Sequence, residues 1–148
     1  MLKPTIFTYI LIAWGFVTTL PLFYAQLRML LLPEGRKTKD LLIGKGKEWR
    51  DPTHFRSALG AAWADWLVVL PLLIAGSVGL ILGTSLGYVC YASAGAITLY
   101  INIVLWFQEK AYVYPSRGPW VYYTYYWGNF IYWGLAAVIY SILRLSNL

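Results

Sequence analysis

The chain of 148 residues has one cysteine and one histidine. A lone cysteine, Cys90, excludes an internal disulfide and any cysteine cluster for metal or redox chemistry. His54 as the only histidine leaves no basis for a histidine metal site or a bis-histidine haem, so no cofactor and no metal is expected. Charge is sparse as well. Asp, Glu, Lys and Arg make up 12% of the residues, against about 25% in an ordinary soluble domain. Acids are the rarer sign, 6 against 12 basic residues. No internal repeat or low-complexity segment is present.

What fills the chain instead is apolar: 59% of it is hydrophobic and 18% aromatic. Runs near the ~20 residues needed to cross a bilayer recur, so the reading is an integral, multi-pass membrane protein. Four spans are expected, at about 5–31, 57–82, 88–108 and 120–143, forming one all-α four-helix bundle over 1–148. Barrel strands would instead alternate over about ten residues. Pro4 suits the first turn of span one, and Pro21 and Pro71 are expected kinks. "GTSLG" at 83–87 reads as a tight turn that makes spans two and three antiparallel neighbours. The first apolar run follows Lys3 and continues past Arg28 with no small-residue cleavage site, so it reads as a retained span rather than a signal peptide.

The one long polar segment, 33–56, lies between spans one and two. Ten of the 12 basic residues fall on its side: Arg28, Arg36, Lys37, Lys39, Lys45, Lys47, Arg50, Arg56, Lys110 and Arg117. Lys3 and Arg144 face the other way. The positive-inside rule then places both termini outside and the loop in the cytosol. Orientation and anionic lipid account for the net charge of +6, and nucleic acid is not an expected partner.

An acid inside a span is expensive and usually faces the bundle interior. Asp65 interrupts "ALGAAWADWLVVLPLLIAGSVGLIL" and should lie roughly 12 Å below the loop-side surface. Glu109 ends span three on that side, with Asn102 and Trp106 on the same helix face. Tyr122, Tyr125, Tyr126, Asn129, Tyr132 and Trp133 form an aromatic stripe on span four, deeper than an interfacial belt. Gln26 is near the loop-side end of span one. These positions predict a cavity in one half of the membrane, with Asp65 and Glu109 as candidate catalytic groups. Gln26, Asn102, Trp106, Tyr126, Asn129, Tyr132, Trp133 and the loop residue Asp51 are candidate substrate contacts. Each polar residue also has a structural reading, as interhelical hydrogen-bond glue, interfacial anchor or solvated loop residue.

Five stretches are similar to the emopamil-binding-protein (EXPERA) superfamily, which includes sterol isomerases and the sigma-two receptor. "LPLFYAQLRMLLLP" spaces Pro21 and Pro33 like the receptor branch's paired prolines, and "KEWRDP" resembles its loop segment. "DWLVVLP" places an acid six residues before a proline. "ITLYINIVLWFQE" places an acid ten residues after the leucine of a Thr-Leu pair, and "NFIYW" resembles the isomerases' Asn followed by Trp. The family's His or acid in the first span is replaced by Thr19 and Gln26, and its span-two Glu by Asp65. Family termini are usually cytosolic, opposite to the charge count.

The resemblance implies binding of a sterol- or isoprenoid-like lipid and, in an isomerase, proton relocation along a carbon skeleton. Asp65 would donate, Glu109 or a tyrosine hydroxyl would take a second proton, and Trp133, Tyr126 and Trp106 would shield the cation. Asn129 would orient the donor. Without catalysis the same cavity would hold sterol-like lipids or amphiphilic amines. The alternative is an accessory subunit of a respiratory, photosynthetic or transport complex. Expected partners are therefore a membrane lipid or sterol-like ligand, a second copy of the chain, or a larger membrane complex. The expected location is the endoplasmic reticulum membrane in a eukaryote, or the inner or plasma membrane in a bacterium.

Overall fold

A computed structural model describes residues 2–109 and 127–146. Among the described residues six helical segments make an all-α bundle: α1 (Ile6–Leu31), α2 (Arg36–Leu42), α3 (Pro52–Ala64), α4 (Leu70–Ile81), α5 (Ser85–Glu109) and α6 (Gly128–Ser146). A π-helical turn, Asp65–Val69, joins α3 to α4 without a break. Four rods are long and apolar enough to cross a membrane: Ile6–Leu31, Pro52–Ile81, Ser85–Gln108 and Gly128–Ser146. The chain is thus an integral, multi-pass membrane protein.

The span boundaries differ from the sequence reading for local reasons. The second rod starts at Pro52, not near Ser57, because Asp51 caps it. The Asp51 carboxylate accepts from the His54 amide at 2.9 Å, and proline at the first helical position needs no amide partner. The third rod starts at Ser85, where the Thr84 hydroxyl accepts from the Gly87 amide. The fourth is described only from Gly128, so its expected start at 120 lies outside the described residues. Pro21 does not interrupt α1. Pro71 acts one turn upstream: its ring has no amide and crowds the carbonyl four residues back. The preceding turn is widened, the Leu70 amide bonding the Asp65 carbonyl five residues behind it.

α4, α5 and α6 are drawn together by glycine. A β-carbon added at Gly79 would lie 2.3 Å from the Gly87 Cα, and one at Gly134 would lie 2.7 Å from the Gly95 carbonyl. Side-chain-free positions let membrane helices approach to backbone contact, where dispersion replaces the missing hydrophobic drive. Gly83 turns the chain between α4 and α5 with φ 67°; its carbonyl accepts from the Leu2 amide. Arg144 donates to the Lys3 carbonyl, so both termini meet this turn at one end. The long loop lies at the other.

That loop is not featureless. The Thr38 hydroxyl on α2 donates to the Leu32 carbonyl at 2.8 Å and to the Arg28 carbonyl at 3.3 Å, covering the last turn of α1. Arg36 pairs with Asp40 and Glu48, and Lys39 with Glu34 and Glu48. The Lys39 ammonium hydrogen-bonded to Glu48 holds that carboxyl below its ordinary range, and the same bond raises Lys39. The Gly46 amide holds Asp40 low.

Two outcomes follow for the scaffold. Gly87→Ala, which puts a β-carbon 2.2 Å from Gly79 backbone, should lower the melting temperature and the yield of monodisperse protein. Gly60→Ala, with nothing within 4 Å, should be neutral or stabilising by up to about 1 kcal/mol. The lowered carboxyls contribute order above the ordinary carboxylate range and lose it as pH falls through their folded values. Raised Lys39 loses its contribution only in strong alkali. A nitroxide at Leu41 should therefore stay immobile across neutral pH and loosen below about pH 4, more readily in high salt.

Candidate functional site

The carboxyl of Asp65 opens the π turn, and Gln26 lies one turn before the loop-side end of α1. They meet across the α1–α3 interface: Gln26 Nε2 donates to Asp65 Oδ2 at 2.5 Å. Gln26 is 5% exposed and Asp65 is half-buried. Beside them Trp66 Nε1 donates to the Phe23 carbonyl at 3.3 Å, and the two rings pack edge to face with centroids 6.3 Å apart. Sequence reasoning overlooked Trp66 and Phe23. Their signal was adjacency, since Trp66 follows the one acid embedded deep in an apolar run.

Two acceptors in this half of the bundle have no donor. Gln26 Oε1 and Asn102 Oδ1 are buried without a hydrogen-bond partner. Asn102 is 3% exposed, and its Nδ2 donates back to the Thr98 carbonyl at 2.8 Å. Gly76 faces Tyr91 and Gly79 faces Gly87. Extending that antiparallel register along α5 brings Asn102 to about the height of Asp65. Trp106 is half-buried one turn nearer the loop, and Glu109 ends α5, its side chain outside the described residues. Tyr126 also lies outside them.

Other expected contacts are elsewhere. Asn129 bridges α6 to α1, accepting from Trp14 Nε1 at 2.9 Å and donating to Thr18 Oγ1 at 2.8 Å. That is about 12 Å along α1 from Gln26. Trp133 is fully buried, against Gly15 and edge to face with Tyr91. Its Nε1 donates to the Leu11 carbonyl at 3.2 Å, which also accepts from the Tyr91 hydroxyl at 2.9 Å. Trp133 is thus core, about 16 Å or more from the Gln26 level. Tyr132 is 49% exposed on the outer face of α6, and Asp51 is an exposed helix cap.

The expected gathering of polar groups in one half of the membrane is corrected accordingly. The Asp65 carboxyl and the Gln26 and Asn102 amides do lie toward the loop, but the Asn129 amide sits near the middle of α1. Hydroxyls, however, continue to the far end, where Tyr140 meets Thr8 at 2.6 Å and Thr5 at 3.0 Å. Short hydroxyls bond backbone or each other cheaply, so they occur at any depth. Among the described residues no three His, Cys, Asp or Glu side chains gather.

Replacing Asn129 with Leu strands two partners, half-buried Trp14 and buried Thr18. It should cost about 1–2 kcal/mol in thermal or denaturant unfolding in detergent. Tyr132→Leu on the outer face should cost almost nothing in the same assay.

Comparison with known proteins returns no match: no family model fits the chain, and no curated sequence and no solved structure is similar to it.

Proposed function

We propose that the chain is an intramembrane binding protein for an amphiphilic lipid of sterol or isoprenoid type, held by its polar head at Asp65 and Gln26 in the loop-side half of the bundle. One observation carries the reading. At the level of Asp65, its carboxylate receives one hydrogen bond, from Gln26, while the buried acceptors Gln26 Oε1 and Asn102 Oδ1 receive none. A buried acceptor without a donor costs about 1–3 kcal/mol. A ligand bearing a hydroxyl or ammonium head supplies the missing donor, and its apolar body suits the rings of Trp66 and Phe23. The π turn at Asp65 supports the same site, since such turns recur where function holds a helix irregular. The ligand class is the one implied by the resemblance of five short stretches to EXPERA motifs.

Double-bond isomerisation extends this reading. Asp65 would give its proton to an alkene carbon, and the resulting carbocation would lie against an indole face. A second base, for which Glu109 is the candidate, would take a different proton and restore a neutral alkene with its double bond moved. The competing reading, an accessory subunit of a larger membrane complex, leads to different results in the same experiment.

Native purification followed by mass spectrometry of bound lipids and partners separates them. The binding reading expects the chain alone, carrying lipid. Cholesterol or a long-chain amine should raise its melting temperature, and squalene, which has no donor, should not. Asp65→Asn keeps an acceptor for Gln26, so the fold should persist while an ammonium-headed ligand binds roughly tenfold or more weakly. Co-purification with a large complex, together with indifference to Asp65→Asn, would overturn the binding reading.

A further inference from the structure

The long loop sorts its cations into two sets that linear sequence does not distinguish. Arg36 and Lys39 are engaged by Glu34, Asp40 and Glu48. Lys37, between them on α2, is turned away. Its Nζ lies 6.0 Å from the ring centroid of Tyr24, and it makes no ion pair among the described residues. Tyr24 is 48% exposed on the outer face of α1, about 10 Å short of the helix end at Leu31. Leu31 and Leu32 at the end of α1 and Leu41 on α2 are exposed as well. In a membrane-spanning bundle that surface faces lipid. A lysine laid along it can extend its ammonium out to the headgroups, where phospholipid phosphates supply the opposite charge.

Lys45, Lys47 and Arg56, at this end of the bundle, are also exposed and form no ion pair among the described residues. The Thr38 contacts to the Arg28 and Leu32 carbonyls hold α2 against α1, so the position of Lys37 is set by the fold and not by a flexible tether.

We propose that the loop-side end of the protein carries an anionic-phospholipid site centred on Lys37 beside Tyr24, with Lys47 and Arg56 adding to the attraction. The site is separate from the Asp65–Gln26 pair and does not depend on what that pair binds. Counting positive charge on a loop explains orientation, but orientation is indifferent to which lysine is lost. A site is not. Lys37→Gln leaves the charge imbalance between the two sides nearly intact, yet removes the ammonium that the fold places beside the Tyr24 ring.

The test uses the full chain in nonionic detergent micelles, titrated with phosphatidylglycerol or phosphatidylcholine. Thermal unfolding gives the half-stabilising lipid fraction, and native mass spectrometry gives the lipids retained. Phosphatidylglycerol should stabilise at a severalfold lower fraction than phosphatidylcholine. Lys37→Gln should raise that fraction about fivefold, the expected effect of one interfacial cation. Lys37→Arg should restore it, and Lys3→Gln at the opposite end should leave it unchanged. The triple variant Lys37→Gln, Lys47→Gln, Arg56→Gln should lose the preference for phosphatidylglycerol. Inorganic phosphate alone should not stabilise. Equal stabilisation by both lipids, a Lys37→Gln variant that titrates like the wild type or like Lys3→Gln, or full stabilisation by inorganic phosphate would each overturn the proposal. None of these results bears on the Asp65→Asn experiment.

Discussion

Hydrocarbon offers no hydrogen-bond partner, and that constraint organises this bundle through α1. Lipid tails are as apolar as leucine, so helices gain nothing by hiding apolar faces from them; close packing and interhelical hydrogen bonds must do the joining. The two devices are divided between different helices. α4, α5 and α6 use backbone proximity at Gly79, Gly87, Gly95 and Gly134. α1 is tied on by polar contacts along its length. Tyr140 reaches Thr5 and Thr8, and Tyr91 and Trp133 reach the Leu11 carbonyl. Asn129 reaches Trp14 and Thr18, Trp66 the Phe23 carbonyl, and Asp65 receives Gln26.

The last of these contacts differs from the others in kind. Elsewhere along α1 a polar group meets a neutral partner that satisfies it. At Gln26 and Asp65 a carboxyl is brought to the interface beside an amide oxygen that nothing satisfies. A structural tie would be served more cheaply by the Thr–Tyr or Asn–Trp pairs used above it. An ionisable group held where a threonine would suffice is the usual mark of a ligand or a proton, which is why the functional reading rests on that level of the bundle.

The proline at position 71 links local chain chemistry to the site. Its ring cannot sit in a tight α turn against the carbonyl four residues earlier, and the strain is released by a π turn that begins at Asp65. Widening a turn rotates the residues before it relative to those after it. α3 is therefore free to face α1, presenting Asp65 to Gln26 and Trp66 to Phe23, while α4 keeps its glycine face on α5. The early start at Asp51 and Pro52 extends α3 toward the loop, while the loop module itself is held to α1 through Thr38.

Composition and hydropathy by themselves determined the class of this protein: few charges, long apolar runs and a single basic loop leave little besides a helical bundle in a membrane. Asp65 stands out as costly from its neighbours alone, and the Asp-Pro pair at 51–52 carries a helix-start signal in the sequence itself. The depth and partner of each polar residue were decided only by tertiary structure. Asn129 and Trp133 share a helix with the expected stripe, yet they serve the core with Trp14, Thr18 and Tyr91, because the rotation of a helix about its axis depends on which neighbour it packs against. Hydropathy is a property of one segment and is nearly blind to that rotation when every face is apolar. The pairing of Gln26 with Asp65, 39 residues away, required two helices to meet at one height, and no spacing within either helix encodes that meeting.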